Sequence, residues 1–327
     1  MGKYQNVGTP KFYVDYFQYA LTTGLITVND ISNNFGADNN ELKKLFYLNP
    51  AKSNTFSIAS GEYYFDINTK YLSEVDYNLN YCMFLNHNLL SNPLLVDIYG
   101  LNKTPIVNYE ELSTYSYNGW SYVDLATNAN LEFDIGRFIF TNTSSPVNLS
   151  LGAISMGTKY DMPHSPDLDL TMTREFGGAK KQFTKGGALL TNYNYTQPPT
   201  WGDGEAWGLY TDAPANLGAR RAGRRTWDLK FSYLSASDIM ADMEMLNLNP
   251  IDEDVDHDYQ PSLTDNNFFS QFMQKTLGGS LRFIFQPNNT DFNPDGFAIC
   301  VLDQDSISIK QVAHNTYNIS LRIMEVW

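Results

Sequence analysis

The run Trp227-Asp228-Leu229-Lys230-Phe231-Ser232-Tyr233 decides the fold class. Large apolar side chains stand at every second position, with Asp, Lys and Ser between them. A period of two is that of a pleated strand, whose successive side chains point to opposite faces. It predicts a half-buried strand with Trp227, Leu229, Phe231 and Tyr233 on the inner face.

Reading downstream, Ser237 or Asp238 is placed to cap a short helix continuing to Leu246. A second helix is expected from Asp265 to Thr276, capped by Thr264 and stopped by Gly278-Gly279. Its apolar stripe is Phe268, Phe269, Phe272 and Met273. Strands follow at Ser280 to Phe285, Phe297 to Leu302 and Tyr317 to Val326. In the last of these Tyr317, Ile319, Leu321 and Ile323 share one face. A strand, helices and further strands in this order describe a small α+β barrel or sandwich over residues 224–327.

Upstream, residues 157–223 have another texture, rich in Gly, Pro, Asn and Tyr, as in Met162-Pro163-His164-Ser165-Pro166 and Gln197-Pro198-Pro199-Thr200-Trp201-Gly202. A structureless loop this long is unusual in a compact domain. The stretch therefore reads as an extended aromatic arm with small hairpins, and turns account for Gly177-Gly178 and Gly186-Gly187. Residues 55–156 carry short strands between turn residues, at Tyr81 to Leu85, Leu94 to Tyr99 and Leu131 to Phe140. That spacing argues for a β-sandwich. Residues 1–54 hold a strand from Phe12 to Tyr19 and a short helix near Glu41 to Tyr47. Asn39 or Asn40 caps that helix, and Leu42, Leu45 and Phe46 face inward. The fold class expected is mainly β: an N-terminal jelly-roll or sandwich, the arm, and the C-terminal barrel.

With 22 Lys and Arg against 36 Asp and Glu, the chain carries a net charge of −14 and would be repelled by a phosphate backbone. No nucleic-acid partner is expected. The one basic knot, Arg220, Arg221, Arg224 and Arg225, reads as a loop pairing with acidic neighbours, within the subunit or across a boundary. No run of 18 apolar residues occurs, so no membrane partner is expected, and the opening Met-Gly-Lys-Tyr-Gln-Asn has no apolar signal core. Cys82 and Cys300 read as buried thiols.

The search for chemistry finds no hydrolase, nucleotide or zinc motif. His87, at a strand end, reads as a structural group bonded to a nearby carbonyl. Two acidic runs resemble calcium loops. Asp252 to Asp258 lacks the glycine at the sixth position. Asp291, Asn293, Asp295 and Gly296 match the first half of such a loop, but Leu302 stands where the closing glutamate belongs. Neither enzyme activity nor a cofactor is expected.

Tyr81 to Leu85 with His87-Asn88-Leu89, and Ile135-Gly136-Arg137-Phe138-Ile139-Phe140, resemble a jelly-roll module of tailed-phage proteins, itself similar to galactose-binding-like sandwiches. Gly223 to Leu234, a Phe-rich strand near a Pro-Asn turn, and Glu325-Val326-Trp327 resemble the C-terminal barrel of phage tail-tip proteins. Gly8-Thr9-Pro10 before an aromatic strand is similar to virion proteins of marine and gut phages. These segments touch about half of the chain. The resemblance implies a ring-forming virion subunit of tail tip, distal tail or baseplate type, assembled in the host cytoplasm with copies of itself and other phage virion proteins.

The interface residues expected are Tyr193, Tyr195, Trp201, Trp207, Tyr210, Arg220, Arg221, Arg224 and Arg225. The alternatives are a module that binds carbohydrate on the host surface, with Trp120, Trp201 or Trp207 stacking on sugar, or a head decoration protein.

Overall fold

A computed structural model describes residues 7–50, 53–68, 80–89, 94–99, 105–107, 116–117, 119–124, 135–175, 179–193, 224–240 and 266–326. In chain order the elements are β1 (Lys11–Asp15), α1 (Tyr16–Thr23), β2 (Ile31–Asn33), α2 (Asn39–Lys43), β3 (Asn54–Ile58), β4 (Gly61–Asn68), β5 (Tyr81–His87), β6 (Leu94–Tyr99) and β7 (Pro105–Val107). There follow β8 (Ser116–Tyr117), β9 (Trp120–Asp124), β10 (Ile135–Asn142), β11 (Val147–Asp161), β12 (Thr171–Glu175), β13 (Ala179–Phe183), β14 (Leu189–Tyr193) and β15 (Arg224–Ser235). The last are α3 (Ala236–Ile239), β16 (Phe283–Gln286), β17 (Ala298–Leu302), β18 (Ile309–Ala313) and β19 (Thr316–Glu325). The chain is mainly β, as the periodicity predicts.

Twelve strands form one antiparallel sheet in the order β12-β15-β19-β17-β16-β1-β11-β5-β9-β8, with β18 on β19 and β3 on β11. A second sheet runs β2-β4-β10-β6-β7, and among the described residues β13 pairs only with β14. The boundaries read from sequence at 54/55 and 156/157 fall inside β3 and β11 of the large sheet, and that at 223/224 coincides with the start of β15. β1 lies between β11 and β16, with Phe12 opposite Tyr160 on one side and Phe285 on the other. Composition changes along the chain, but strand pairing is nonlocal, so local texture does not reveal where a sheet ends.

All five residues of β1 are buried, because both faces of its sheet are covered. On one face, Phe12 and Val14 join Trp227, Leu229, Phe231, Phe283, Phe285, Ile319 and Ile323, under Phe268 and Phe272. Beside this core, Phe84, Ile154 and Met156 of the large sheet pack on Phe65, Phe138 and Phe140 of the second sheet, making a sandwich that α1 and Phe46 close. On the opposite face Tyr13, Tyr81, Trp120, Tyr122, Ile284 and Phe297 form a third core. β9 and β17 are five strands apart in the sheet order. In a flat sheet that is about 24 Å. Yet Phe297, just before β17, lies 5.1 Å from the Trp120 ring and 6.1 Å from that of Tyr122. The sheet therefore curls around this aromatic core, in the sense that strand twist favours.

Several local expectations are corrected. The strand expected from Phe12 to Tyr19 stops at Asp15, whose carboxylate Oδ1 accepts from the Gln18 amide at 2.9 Å and starts α1. Tyr16, Phe17, Ala20 and Leu21 are buried at helical spacing, which over so few residues looks like alternation. Gly24, at φ +80°, ends the helix. α2 begins earlier than expected and is capped by Asp38, while Asn39 bonds the Ile31 carbonyl at 2.7 Å. Leu42 in α2, and Leu45 and Phe46 in the 3-10 turn Lys44–Phe46 that follows it, are buried as read.

The helix expected to end at Thr276 is a π-helical turn over Phe269–Gln274. Among the described residues its amide acceptor is Asn267, whose Oδ1 takes the Ser270 N–H at 2.8 Å. Gly278 and Gly279, both at positive φ, stop it as expected. The short helix after β15 is capped by Ser235 and Asp238 together, and its expected extension to Leu246 lies outside the described residues. β18 was not anticipated. Tyr233 does not share the inner face. A register shift between Phe231 and Leu234 and a φ of +64° turn it outward, 80% exposed, and Leu234 takes the buried place.

Candidate assembly surface

Several buried titratable groups hold structural bonds, and Asp15, Tyr81 and Cys82 lie within electrostatic reach of one another. Asp15 is raised to about 7 by burial, against the lowering effect of the Gln18 amide, the Ser155 hydroxyl and the Phe17 amide. The Ser155 hydroxyl also meets that of Tyr81 at 2.9 Å. The Tyr13 hydroxyl donates to Gln286 Oε1 at 2.7 Å. Burial pushes both phenols and both thiols, Cys82 and Cys300, upward, which keeps them protonated. The thiols are reduced and buried, as read from sequence.

His87 is buried and lowered to about 3 by desolvation, so its ring is neutral. It does not bond a carbonyl. Nδ1 accepts the Leu89 amide at 3.2 Å, which leaves the proton on Nε2 to donate to the Ser121 hydroxyl at 2.9 Å. Lys275, lowered to about 7 by burial, donates to Gln271 Oε1 at 2.7 Å and lies over the Tyr16 ring.

In the calcium-like run, Asp291 Oδ1 accepts the amide of Asn293 at 3.1 Å and its side-chain nitrogen, closing an Asx turn. The Asp291 carbonyl accepts from Gln286 at 2.9 Å. Among the described residues no three His, Cys, Asp or Glu converge on a metal position. The Asp295 side chain and the Asp252 to Asp258 run lie outside the described residues. Likewise, no helix among the described residues is long and apolar enough to cross a membrane.

Of the expected interface residues, Tyr195, Trp201, Trp207, Tyr210, Arg220 and Arg221 lie outside the described residues. Tyr193 ends β14 opposite Ala179. Arg224 and Arg225 open β15 rather than lying in a loop. Arg225 is buried and pairs within its own chain. Its Nε donates to Glu325 Oε2 at 3.0 Å and its terminal nitrogen to Oε1 at 2.7 Å, while its amide also donates to Oε2 at 3.0 Å. A further bond at 3.1 Å reaches the Phe297 carbonyl. This fork fastens β15 to the last strand, so Arg225 is removed from the candidate surface. Trp120 is fully buried between Tyr122 and Phe297 and cannot stack on a sugar.

The structure draws attention instead to the hairpin β13–β14. Thr184 organises its turn: its carbonyl accepts the Gly187 amide at 2.9 Å, and its hydroxyl accepts the Ala188 amide at 3.0 Å. Gly187 supplies the left-handed residue, at φ +82°. Across the ladder Phe183 faces Leu189, and the two are 76% and 51% exposed. Leu190, 58% exposed, points to the other face opposite Gln182. Lys181 and Lys185 are exposed beside them. Sequence reading missed Phe183, Leu189 and Leu190, although Gly186-Gly187 between two short runs marked the turn.

No protein-family model and no curated protein matches the chain. A solved fucose-binding module from Streptococcus pneumoniae is similar at 13% identity, over 46% of this chain and 93% of that one, with a TM-score of 0.22.

Proposed function

We propose that this protein is a structural subunit that acts by assembling with copies of itself, of the kind that builds a phage tail tip, distal tail or baseplate ring. The observation that carries the reading is the hairpin β13–β14. Among the described residues it pairs with neither large sheet, yet it holds Phe183, Leu189 and Leu190 in solvent. A lone two-stranded hairpin is marginally stable in water. Burying such side chains contributes about 2 kcal/mol each, so a partner that covers them would stabilise both the hairpin and the complex. Tyr13, His87 and Arg225 use their polar groups to join neighbouring strands and are withdrawn from solvent, which suits a structural part. The tail assignment rests on the sequence resemblance.

The test is the mass of the purified protein by light scattering behind a sizing column. A discrete multiple of 37.1 kDa is expected. A monomer at every concentration, with and without other virion proteins, would defeat the assembly reading.

A further inference from the structure

Charge is segregated in this chain in a way that restricts how copies can meet. Residues 179–193 contain Lys180, Lys181 and Lys185 and no carboxylate, a net charge of +3. The whole chain carries −14, so the remaining residues carry −17, and the described residues outside the hairpin are themselves net acidic at −6. Lys181 and Lys185 flank the exposed Phe183 and Leu189, so cationic and apolar groups share one small projection. Two such hairpins brought together would set like charges against each other. A hairpin brought to the body of another copy meets the opposite sign.

We infer that the hairpin β13–β14 docks on the acidic body of a second copy of this chain, so that the contact is head-to-tail rather than two-fold. The inference rests on the assembly reading and specifies its geometry. A two-fold contact matches the same patch on both subunits, whereas a head-to-tail contact joins two different patches and generates rings or open filaments. Phe183 and Leu189, paired on one face of the hairpin, supply the apolar centre of the contact, and Lys181 and Lys185 its charged rim. Opposite charge steers the encounter and excludes the hairpin-to-hairpin arrangement. Like charges at a strand pair or an interface rim destabilise it in the same way.

The experiment is a mixing assay on the full chain. The variant Phe183→Asp with Leu189→Asp can receive a hairpin but cannot offer one. It keeps its fold, because these residues belong to none of the three cores, and an unchanged circular-dichroism melt checks this. Alone it is expected to be a monomer. Labelled and mixed with wild type, it is expected to enter shorter, open oligomers through its intact receiving surface. If it stays monomeric beside assembled wild type, the contact is two-fold and the inference is overturned.

A second variant, Lys181→Glu with Lys185→Glu, retains the apolar side chains and is expected to associate about tenfold more weakly at low salt. For wild type, raising salt from about 0.1 M to about 1 M shortens the screening length from about 10 Å to about 3 Å and should weaken association to a similar degree. Association indifferent to both changes would show that charge does not orient the contact. Wild type that stays monomeric and binds a single-stranded oligonucleotide through these lysines would point to nucleic acid and overturn the inference. Oligomers unaffected by every hairpin variant would overturn the docking but leave the assembly reading standing. A wild-type monomer with no oligonucleotide binding would defeat both.

Discussion

Removing the carboxylate of Glu325 is expected to be among the most damaging single changes in the described part of the protein. The side chains of Arg225 and Glu325 are only 10% and 5% exposed, so solvent screens the pair little. Glu325 accepts three bonds from Arg225: two from the guanidinium and one from the backbone amide. Glu325→Ala removes the buried carboxylate that accepts from the Arg225 guanidinium and from its backbone N–H. Breaking a buried pair from one side costs about 3–5 kcal/mol, a large part of the total stability of an ordinary domain.

In urea, with a slope of about 3 kcal/mol per molar, the midpoint should fall by about 1 to 1.7 M. Tryptophan fluorescence is a suitable probe, because the Arg225 guanidinium lies 5.3 Å from the centre of the Trp227 ring. The double replacement Arg225→Met with Glu325→Leu removes both charges and fills similar volume. It should lose far less than the single change, because an apolar pair has no desolvated charge left to satisfy. The reasoning would be refuted if Glu325→Ala shifted the midpoint by less than about 0.3 M, or if the double variant lost as much as the single one.

Further predictions concern other buried positions. Asp15 is raised to about 7 in the folded chain from an ordinary 3.8, so between these values the folded state holds the extra proton. Its contribution to stability is full below about pH 4 and is lost as pH rises to about 7, by at most about 4 kcal/mol. Asp15→Asn keeps a capping side chain and should flatten this slope and raise the melting temperature at pH 8. Lys275 is lowered to about 7 from 10.5, so its burden is full below about pH 7 and fades toward pH 10.5. Lys275→Met should stabilise the protein at pH 7 and lose that advantage by about pH 10.5, as thermal melts across pH would record. In Gly157→Ala, the added Cβ would lie 2.0 Å from the Val14 carbonyl oxygen, where β1 turns into α1. A loss of about 3 kcal/mol is expected in urea unfolding. Trp120→Ala should destabilise the fold by about 3–5 kcal/mol, and a variant that folded normally but lost glycan binding would contradict the buried placement.

Local patterns settled a good part of this molecule. The alternation from Trp227 to Phe231, and that of Ile319, Leu321 and Ile323, followed from side-chain period alone, because a pleated strand imposes it wherever it packs. Gly278-Gly279 and Gly186-Gly187 marked stops and turns for an equally local reason, the left-handed backbone that glycine tolerates. The mainly β class and the buried thiols came from the same short-range information.

What the tertiary structure alone decided depends on contacts between distant residues. That β1 sits between β11 and β16 is a pairing across 100 residues and more. The burial of Arg225 against Glu325, the outward turn of Tyr233 and the solvent-facing Phe183 and Leu190 likewise depend on which strand lies alongside. A one-residue shift in register moves a side chain to the other face, and the residues themselves do not encode that shift locally. Strand character is a property of a few neighbours, whereas the partner and register of a strand belong to the whole chain.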